Sequence, residues 1–115
     1  MECGGYQCPV EATLGLIGGK WKVLILWHLI DHTLRFHELQ KRIPQATPKM
    51  LTQQLRDLER DGMIIRTVYP VVPPRVEYTM SSLGNSLVPL LTSMCDWGKN
   101  YLNGYYRFDH SSASV

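Results

Sequence analysis

Residues 44–62 read PQATPKMLTQQLRDLERDG, and no other segment says as much about the architecture. Thr47 offers a side-chain oxygen one residue before a proline. Pro48 suits the first helical position, because the N–H it lacks would have had no partner there. Gly62 stands just past the last helical residue, where the chain turns through a conformation other residues resist. Between these signals Leu51, Leu55 and Leu58 recur at helical spacing and form one apolar stripe. Pro48, Lys49, Thr52, Gln53, Arg56 and Arg60 fall off that stripe. The segment is therefore expected to be a helix with one buried side and one polar side.

Upstream, RFHELQKRI (35–43) places Phe36, Leu39 and Ile43 on one face and stops at Pro44. Two helices joined by a tight turn, the second polar on its outer side, are the requirements of a helix-turn-helix. Downstream, MIIRTVY (63–69) and RVEYTM (75–80) are rich in β-branched and aromatic residues. They flank PVVPP, which cannot continue a sheet, so a hairpin with a stiff tip, a wing, follows the second helix. Nearer the start, Pro9 opens a helix carrying Val10, Leu14 and Ile17, and Gly18-Gly19 stops it. KWKVLILWHL (20–29) has Trp21, Leu24, Ile25, His28 and Leu29 on one side and is apolar around much of its circumference, as a central buried helix is.

The last long element is expected to begin near Ser81. Leu83, Leu87, Leu90, Met94, Trp97 and Tyr101 step by 4, 3, 4, 3 and 4 residues, the pattern of a helix-packing seam. Pro89 lies inside it and predicts a kink. With Leu91, this face offers more apolar surface than a small domain needs for itself. From Asn103 onward the periodicity is lost. The expected fold is α+β, mainly α: one winged helix-turn-helix domain over 1–115, with its core at 8–100 and flexible segments at 1–7 and 103–115.

Composition narrows the classes. The 115 residues are 44% hydrophobic and 19% charged, which excludes a disordered chain. The net charge of +2 is too small for indiscriminate coating of nucleic acid. It is also uneven. Residues 35–75 hold eight Lys and Arg against four acids, and the remainder four against six. No apolar run approaches the roughly 18 residues of a membrane span, and MECGGYQCPVE lacks a basic-then-apolar leader, so a cytoplasmic protein with no membrane partner is expected. Three cysteines (Cys3, Cys8, Cys95) with no CxxC pair argue against a disulfide-stapled module. His28 and His32 are four residues apart without a carboxylate or cysteine at ligand-like spacing, so neither a metal nor a cofactor is expected. No Ser–His–Asp set, glycine-rich phosphate loop or evident acid pair speaks for an enzyme, and His37 and Glu38, adjacent on a helix, point apart.

On the helix at 48–60, Thr47 and the N–H groups around Lys49 and Met50 suit a phosphate at a helix N-terminus. Lys49 can reach phosphate or guanine, and Gln53 can offer a bidentate amide to adenine. Thr52 can meet a thymine methyl or phosphate, and Arg56 the backbone or a base edge. Gln54 lies nearer the buried flank, and Met50 is read as packing. Arg75, at the wing, suits a narrow minor groove, with a pairing to Glu77 as the alternative. Arg35 and Arg66 suit phosphate, or surface ion pairs. The bland alternative for the whole set is a solvated helix face.

Taken in order, CPVEATLGLIGGKWKVLILWHL (8–29), RFHELQKRI, TPKMLTQQLRDLERDGMIIRTVY (47–69), PPRVEYTMSSLG (73–84) and DWG (96–98) resemble the HxlR family of bacterial winged-helix transcription regulators. Met80-Ser81 stands where that family usually has Leu-Thr, a mild change that keeps a hydroxyl for capping. The resemblance implies a homodimer joined mainly by its first and last helices, through Val10, Leu14, Leu87, Leu90, Leu91, Met94 and Trp97. It also implies a palindromic operator, paired recognition helices in successive major grooves, wings on the flanking DNA, and repression. Some members of the family sense oxidants or electrophiles through a cysteine before the first helix, which corresponds to Cys8. A helix N-terminus favours a thiolate there. Cys3 would be a resolving thiol and Cys95 part of the core. A non-covalent aromatic effector between the helices near Trp21 and Trp27 is an alternative signal, and a DNA-independent protein-interaction module an alternative function.

Overall fold

A computed structural model describes residues 8–104. Along them run α1 (Pro9–Ile17), α2 (Lys20–Leu29), α3 (Phe36–Arg42), α4 (Pro48–Arg60), β1 (Ile64–Tyr69), β2 (Arg75–Met80), α5 (Ser82–Asn85) and α6 (Val88–Leu102). Of the segments expected to be flexible, 1–7 and 103–115, residues 1–7 and 105–115 lie outside the described residues. The Asn103 and Gly104 N–H groups close the end of α6 on Lys99 O at 2.9 Å and Tyr101 O at 3.1 Å.

The core forms around α2, whose Ile25, Leu26 and Leu29 are buried. Against it stand Leu39 of α3, Ile43 just beyond that helix, and the α4 stripe of Leu51, Leu55 and Leu58. Met63, Ile64, Tyr78 and Met80 close the core from the hairpin, and Leu91 from α6. The turn between α3 and α4 buries Ala46 and is stapled from inside. Gln40 Nε2 donates to the carbonyls of Ala46 at 2.6 Å and Ile43 at 3.3 Å. This fixes the relation of α4 to α3 without a long connection.

Thr47 caps α4 as expected, its Oγ1 accepting from the Met50 N–H at 3.1 Å. Gly62 has φ +78°, the left-handed geometry that lets the chain leave α4 at once. The strands β1 and β2 are antiparallel, with Ile64 opposite Met80, Arg66 opposite Tyr78 and Tyr69 opposite Arg75. The hairpin is anchored at its base by Leu34, which exchanges backbone hydrogen bonds with Tyr78 at 3.0 and 2.8 Å. The chain between α2 and α3 thereby acts as a third, one-residue strand.

The region after Ser81 differs from expectation. It is not one helix kinked at Pro89 but two, α5 and α6. Ser81 Oγ accepts from the Gly84 N–H at 3.0 Å to start α5. The Leu87 N–H then reaches back to Gly84 O and the Ser86 hydroxyl to Leu83 O, closing the short helix. Pro89 falls in the first turn of α6, where its missing N–H costs no helical hydrogen bond, so it helps begin the helix rather than bending it. Gly84 is required for this corner, because a side chain there would run into the Met63 carbonyl.

Candidate nucleic-acid interface

With the leucine stripe of α4 buried, its outer face is set by periodicity. Lys49, Gln53, Arg56 and Arg60 are all exposed there. Lys49 and Arg56 have no ion pair among the described residues. The helix N-terminus holds less free donor capacity than expected. The Met50 N–H is taken by the Thr47 hydroxyl and the Leu51 N–H by the Thr47 carbonyl. Pro48 has none, which leaves the Lys49 N–H for an incoming phosphate. Met50 stands partly in solvent rather than in the core, at 38% exposure. Gln54 is half-buried on the flank, as its position implied.

Asp57 is a residue of this face that its sequence position did not reveal. Its carboxylate accepts from Gln53 Nε2 at 3.0 Å and Arg60 Nη1 at 3.1 Å, and Lys22 Nζ of α2 lies at 3.8 Å. The spacing of Gln53, Asp57 and Arg60 is itself a helical signal, but the tie to Lys22 spans a sequence distance no local pattern encodes. Arg60 also pairs with Asp61 at 3.3 Å.

Between α4 and the hairpin runs a cleft of about 290 Å³ lined by Thr52, Leu55, Arg56, Glu59, Arg66 and Tyr78. Thr52, Arg56 and Arg66 are thus brought together. Two guanidinium groups against one carboxylate leave the cleft cationic. Arg75 is not part of it. Side chains alternate faces along a strand, and Tyr78 and Met80 point to the core, so Arg66 shares their side of the hairpin. Arg75, Glu77 and Tyr69 share the other. There the Arg75 guanidinium lies 4.6 Å from the centre of the Tyr69 ring, and its Nε is 3.4 Å from Glu77 Oε2. Arg35 stands half-buried at the start of α3, its backbone N–H donating to Glu38 Oε1 at 2.8 Å.

A second surface is apolar. Val10 and Leu14 of α1 and Leu90, Met94, Trp97 and Tyr101 of α6 are exposed, Val10 to 64% and Trp97 to 56%. Trp97 stacks on Tyr101 with ring centres 5.5 Å apart. Val10, Leu14, Leu90 and Met94 line one open hollow of about 470 Å³ with Ile17 and Val23. Of the residues expected at a dimer contact, Leu91 is instead in the chain's own core at 2% exposure, and Leu87 is half-buried against that core. Cys8 precedes α1 at its N-cap position, half-buried. Cys95 is likewise half-buried. It lines a smaller hollow of about 220 Å³ with Val23, Leu24, Trp27, Leu91 and Met94, the space an aromatic effector would have. Trp21 is half-buried against the core, with Lys20 Nζ 4.8 Å from its ring centre. Cys3 lies outside the described residues. No helix among the described residues is long and apolar enough to cross a membrane.

Comparison with known proteins agrees with this geometry. Residues 16–106 match the profile of the HxlR-like helix-turn-helix family. The chain is 55% identical over 94 residues to the uncharacterized HTH-type transcriptional regulator YdeP of Bacillus subtilis, covering 82% of this chain and 73% of that protein. It is 53% identical over 106 residues to the uncharacterized HTH-type transcriptional regulator YtcD of the same organism, covering 92% and 84%. Among solved structures, the redox regulator HypR in its oxidized form superposes with a TM-score of 0.79 at 48% identity, covering 81% of this chain and 96% of that one. Two antiparallel strands behind a helix-turn-helix make the fold a winged helix-turn-helix.

Proposed function

The chain belongs to the HxlR-like helix-turn-helix family of transcriptional regulators, and from that premise we propose that it binds a palindromic operator as a homodimer and represses transcription there. The observation that carries this is the outer face of α4. Lys49, Gln53 and Arg56 stand exposed opposite a fully buried leucine stripe, on a helix held rigid by its cap and by the Gln40 staple. In a major groove, Gln53 is the base reader and Lys49 contacts guanine or phosphate. Thr47, Pro48 and the Lys49 N–H approach the backbone, and Thr52, Arg56 and Arg66 take a phosphate in the cleft behind the helix. Arg75 touches the flanking DNA from the outer face of the wing, and Arg35 supplies a peripheral phosphate contact.

The homodimer is supported by the exposed apolar face of α1 and α6. A soluble monomer seldom leaves Val10, Leu14, Leu90, Met94, Trp97 and Tyr101 together in water. Pairing that face with its copy would set two α4 helices in a fixed spacing, which half-site recognition needs. The test is footprinting on the DNA upstream of the protein's own coding region, with Lys49→Ala and Gln53→Ala alongside. A protected two-fold symmetric site is expected, weakened broadly by the first variant and relaxed in base preference by the second. Binding that neither depends on salt nor protects a defined site would favour a protein-interaction module instead.

A second reading, control by oxidants or electrophiles, is favoured by the placement of Cys8 at the start of α1. That helix carries Val10 and Leu14, so modification at its N-terminus would shift the dimer face and with it the spacing of the paired α4 helices. The similarity to a redox regulator points the same way. Faster labelling of Cys8 than of an unfolded-peptide thiol, with loss of operator binding, is the expected result. A rate no higher than the peptide's speaks against it, and operator release by an aromatic compound in a Cys8→Ser variant would transfer the signal to the hollow beside Trp27.

A further inference from the structure

We propose that Asp57 is a positioning residue for sequence reading: it holds the side-chain amide of Gln53 in a single orientation on the outer face of α4, while Lys22 and Arg60 neutralise the charge this places beside DNA. The proposal rests on Gln53 being a base contact, as proposed above.

Asp57 follows Gln53 by one helical turn, and its side chain is only 18% exposed. A carboxylate can only accept hydrogen bonds, so the Gln53 amide must turn its nitrogen toward Asp57, at 3.0 Å, and its oxygen away. After that bond the amide keeps one N–H and its carbonyl oxygen. These are the donor and acceptor needed for N7 and the N6 amino group of adenine. A glutamine without such a partner samples both amide orientations and several rotamers, and must give up that freedom on binding. Asp57 removes it beforehand and decides which way round the base is read.

An acid on a DNA-facing helix repels phosphate. Here both carboxylate oxygens are occupied by cations, Oδ1 by Arg60 Nη1 at 3.1 Å and Oδ2 by Lys22 Nζ at 3.8 Å. Lys22 belongs to the central helix α2 and its side chain is 14% exposed, so the Gln53–Asp57 pair is tied to the core rather than to a mobile surface chain. A Gln–Asp pair one turn apart stabilises many helices, but an ordinary one needs no half-buried lysine from another helix.

The experiment is selection of bound sequences from a randomised duplex DNA library by the full-length protein, its variants run in parallel with thermal unfolding. Wild type is expected to prefer one base at one position of each half-site, by about 5- to 150-fold for a bidentate amide. Q53A removes that preference. D57A lowers the preference ratio at the same position at least about threefold, and adds no further loss in the Q53A/D57A double variant, as expected of coupled residues. D57N keeps an acceptor for Gln53 Nε2 but adds a donor for its oxygen, so both amide orientations become possible and the preference falls below wild type although the side chain is nearly isosteric. K22M breaks the same ion pair from its other side, so it lowers thermal stability. By leaving Asp57 less neutralised beside phosphate it also weakens binding to all sequences, while it lowers the preference ratio less than D57A does. A ratio lowered as much as in D57A would make the role of Asp57 merely structural. A D57A preference equal to wild type, where Q53A has lost it, overturns the assignment of Asp57 alone. An unchanged profile in Q53A overturns the base-contact reading beneath it, and the assignment falls with it.

Discussion

Replacing Arg56 and Arg66 together by glutamine should markedly flatten the salt dependence of operator binding. Both guanidinium groups line the cleft between α4 and the hairpin, and neither has an ion pair among the described residues. Each is therefore free to displace counterions from a phosphate. Every phosphate contact contributes about 0.9 to the slope of log K against log salt, so two contacts in each protomer of a dimer amount to about 3.6. Between 50 and 200 mM salt, wild type should then lose about 150-fold more affinity than the double variant. Arg75→Gln is the internal comparison. Its guanidinium already lies 3.4 Å from Glu77, so fewer counterions are released, and its slope change should stay below about 1 for the dimer. Fluorescence anisotropy of a labelled duplex from the upstream region, titrated at four salt concentrations, measures all three. Both arginines of the pair are exposed, so folding stability should change by no more than about 0.5 kcal/mol. A double-variant slope within about 0.5 of wild type, or an Arg75→Gln change as large as that of the pair, refutes the assignment of the cleft to phosphate.

Leu14→Glu combined with Trp97→Glu puts carboxylates on the exposed face of α1 and α6. The expected outcome is a monomer by sedimentation equilibrium at concentrations where wild type sediments as a dimer, and an unchanged mass would mean that subunits meet elsewhere. Gly84→Ala forces a methyl group against the Met63 carbonyl and the Met80 sulfur. Urea denaturation should show a loss of about 1–3 kcal/mol, and an unmoved midpoint would deny the tight corner. For His28, burial, then Arg42, then His32 hold the imidazole below its ordinary value of 6.5, so the unfolded chain takes up its proton first. Stability should therefore fall as pH drops below about 6.5, and His28→Gln should flatten that fall. An identical pH profile in the variant would place the titration elsewhere.

Features written into a few consecutive residues are legible from the amino acids alone. The cap at Thr47, the leucine stripe and the glycine after α4 are each local, and each holds. The hairpin is legible for the same reason: β-branched runs on either side of a proline-rich loop leave the chain little else to do. Pro89 shows where local reasoning stops. Its leucine spacing is continuous across 83–101, and periodicity alone merges α5 with α6. What separates them is hydrogen bonding by Ser81 and Ser86, together with the close approach of Gly84 to Met63, a contact between elements. Leu91 misleads in a related way. It lies beside the exposed stripe in sequence, but one position of helical rotation turns it from that surface into the core.

The cationic residues make the same point more sharply, because eight Lys and Arg in residues 35–75 look interchangeable as a count. Arg60 and Arg75 are held by acids, while Arg56 and Arg66 line one cleft. Which wing arginine joins α4 is a question of register. Arg75 pairs with Tyr69, an odd number of residues from Arg66, so the two arginines must take opposite faces of the hairpin. A slip of one residue between β1 and β2 that turned β2 over would carry Arg75 to the α4 side. It would also turn Tyr78 and Met80 out of the core and break the paired backbone bonds between Tyr78 and Leu34. The apolar residues of β2 thus decide which charge reaches the cleft, and the length of the loop at 70–74 is what allows them to.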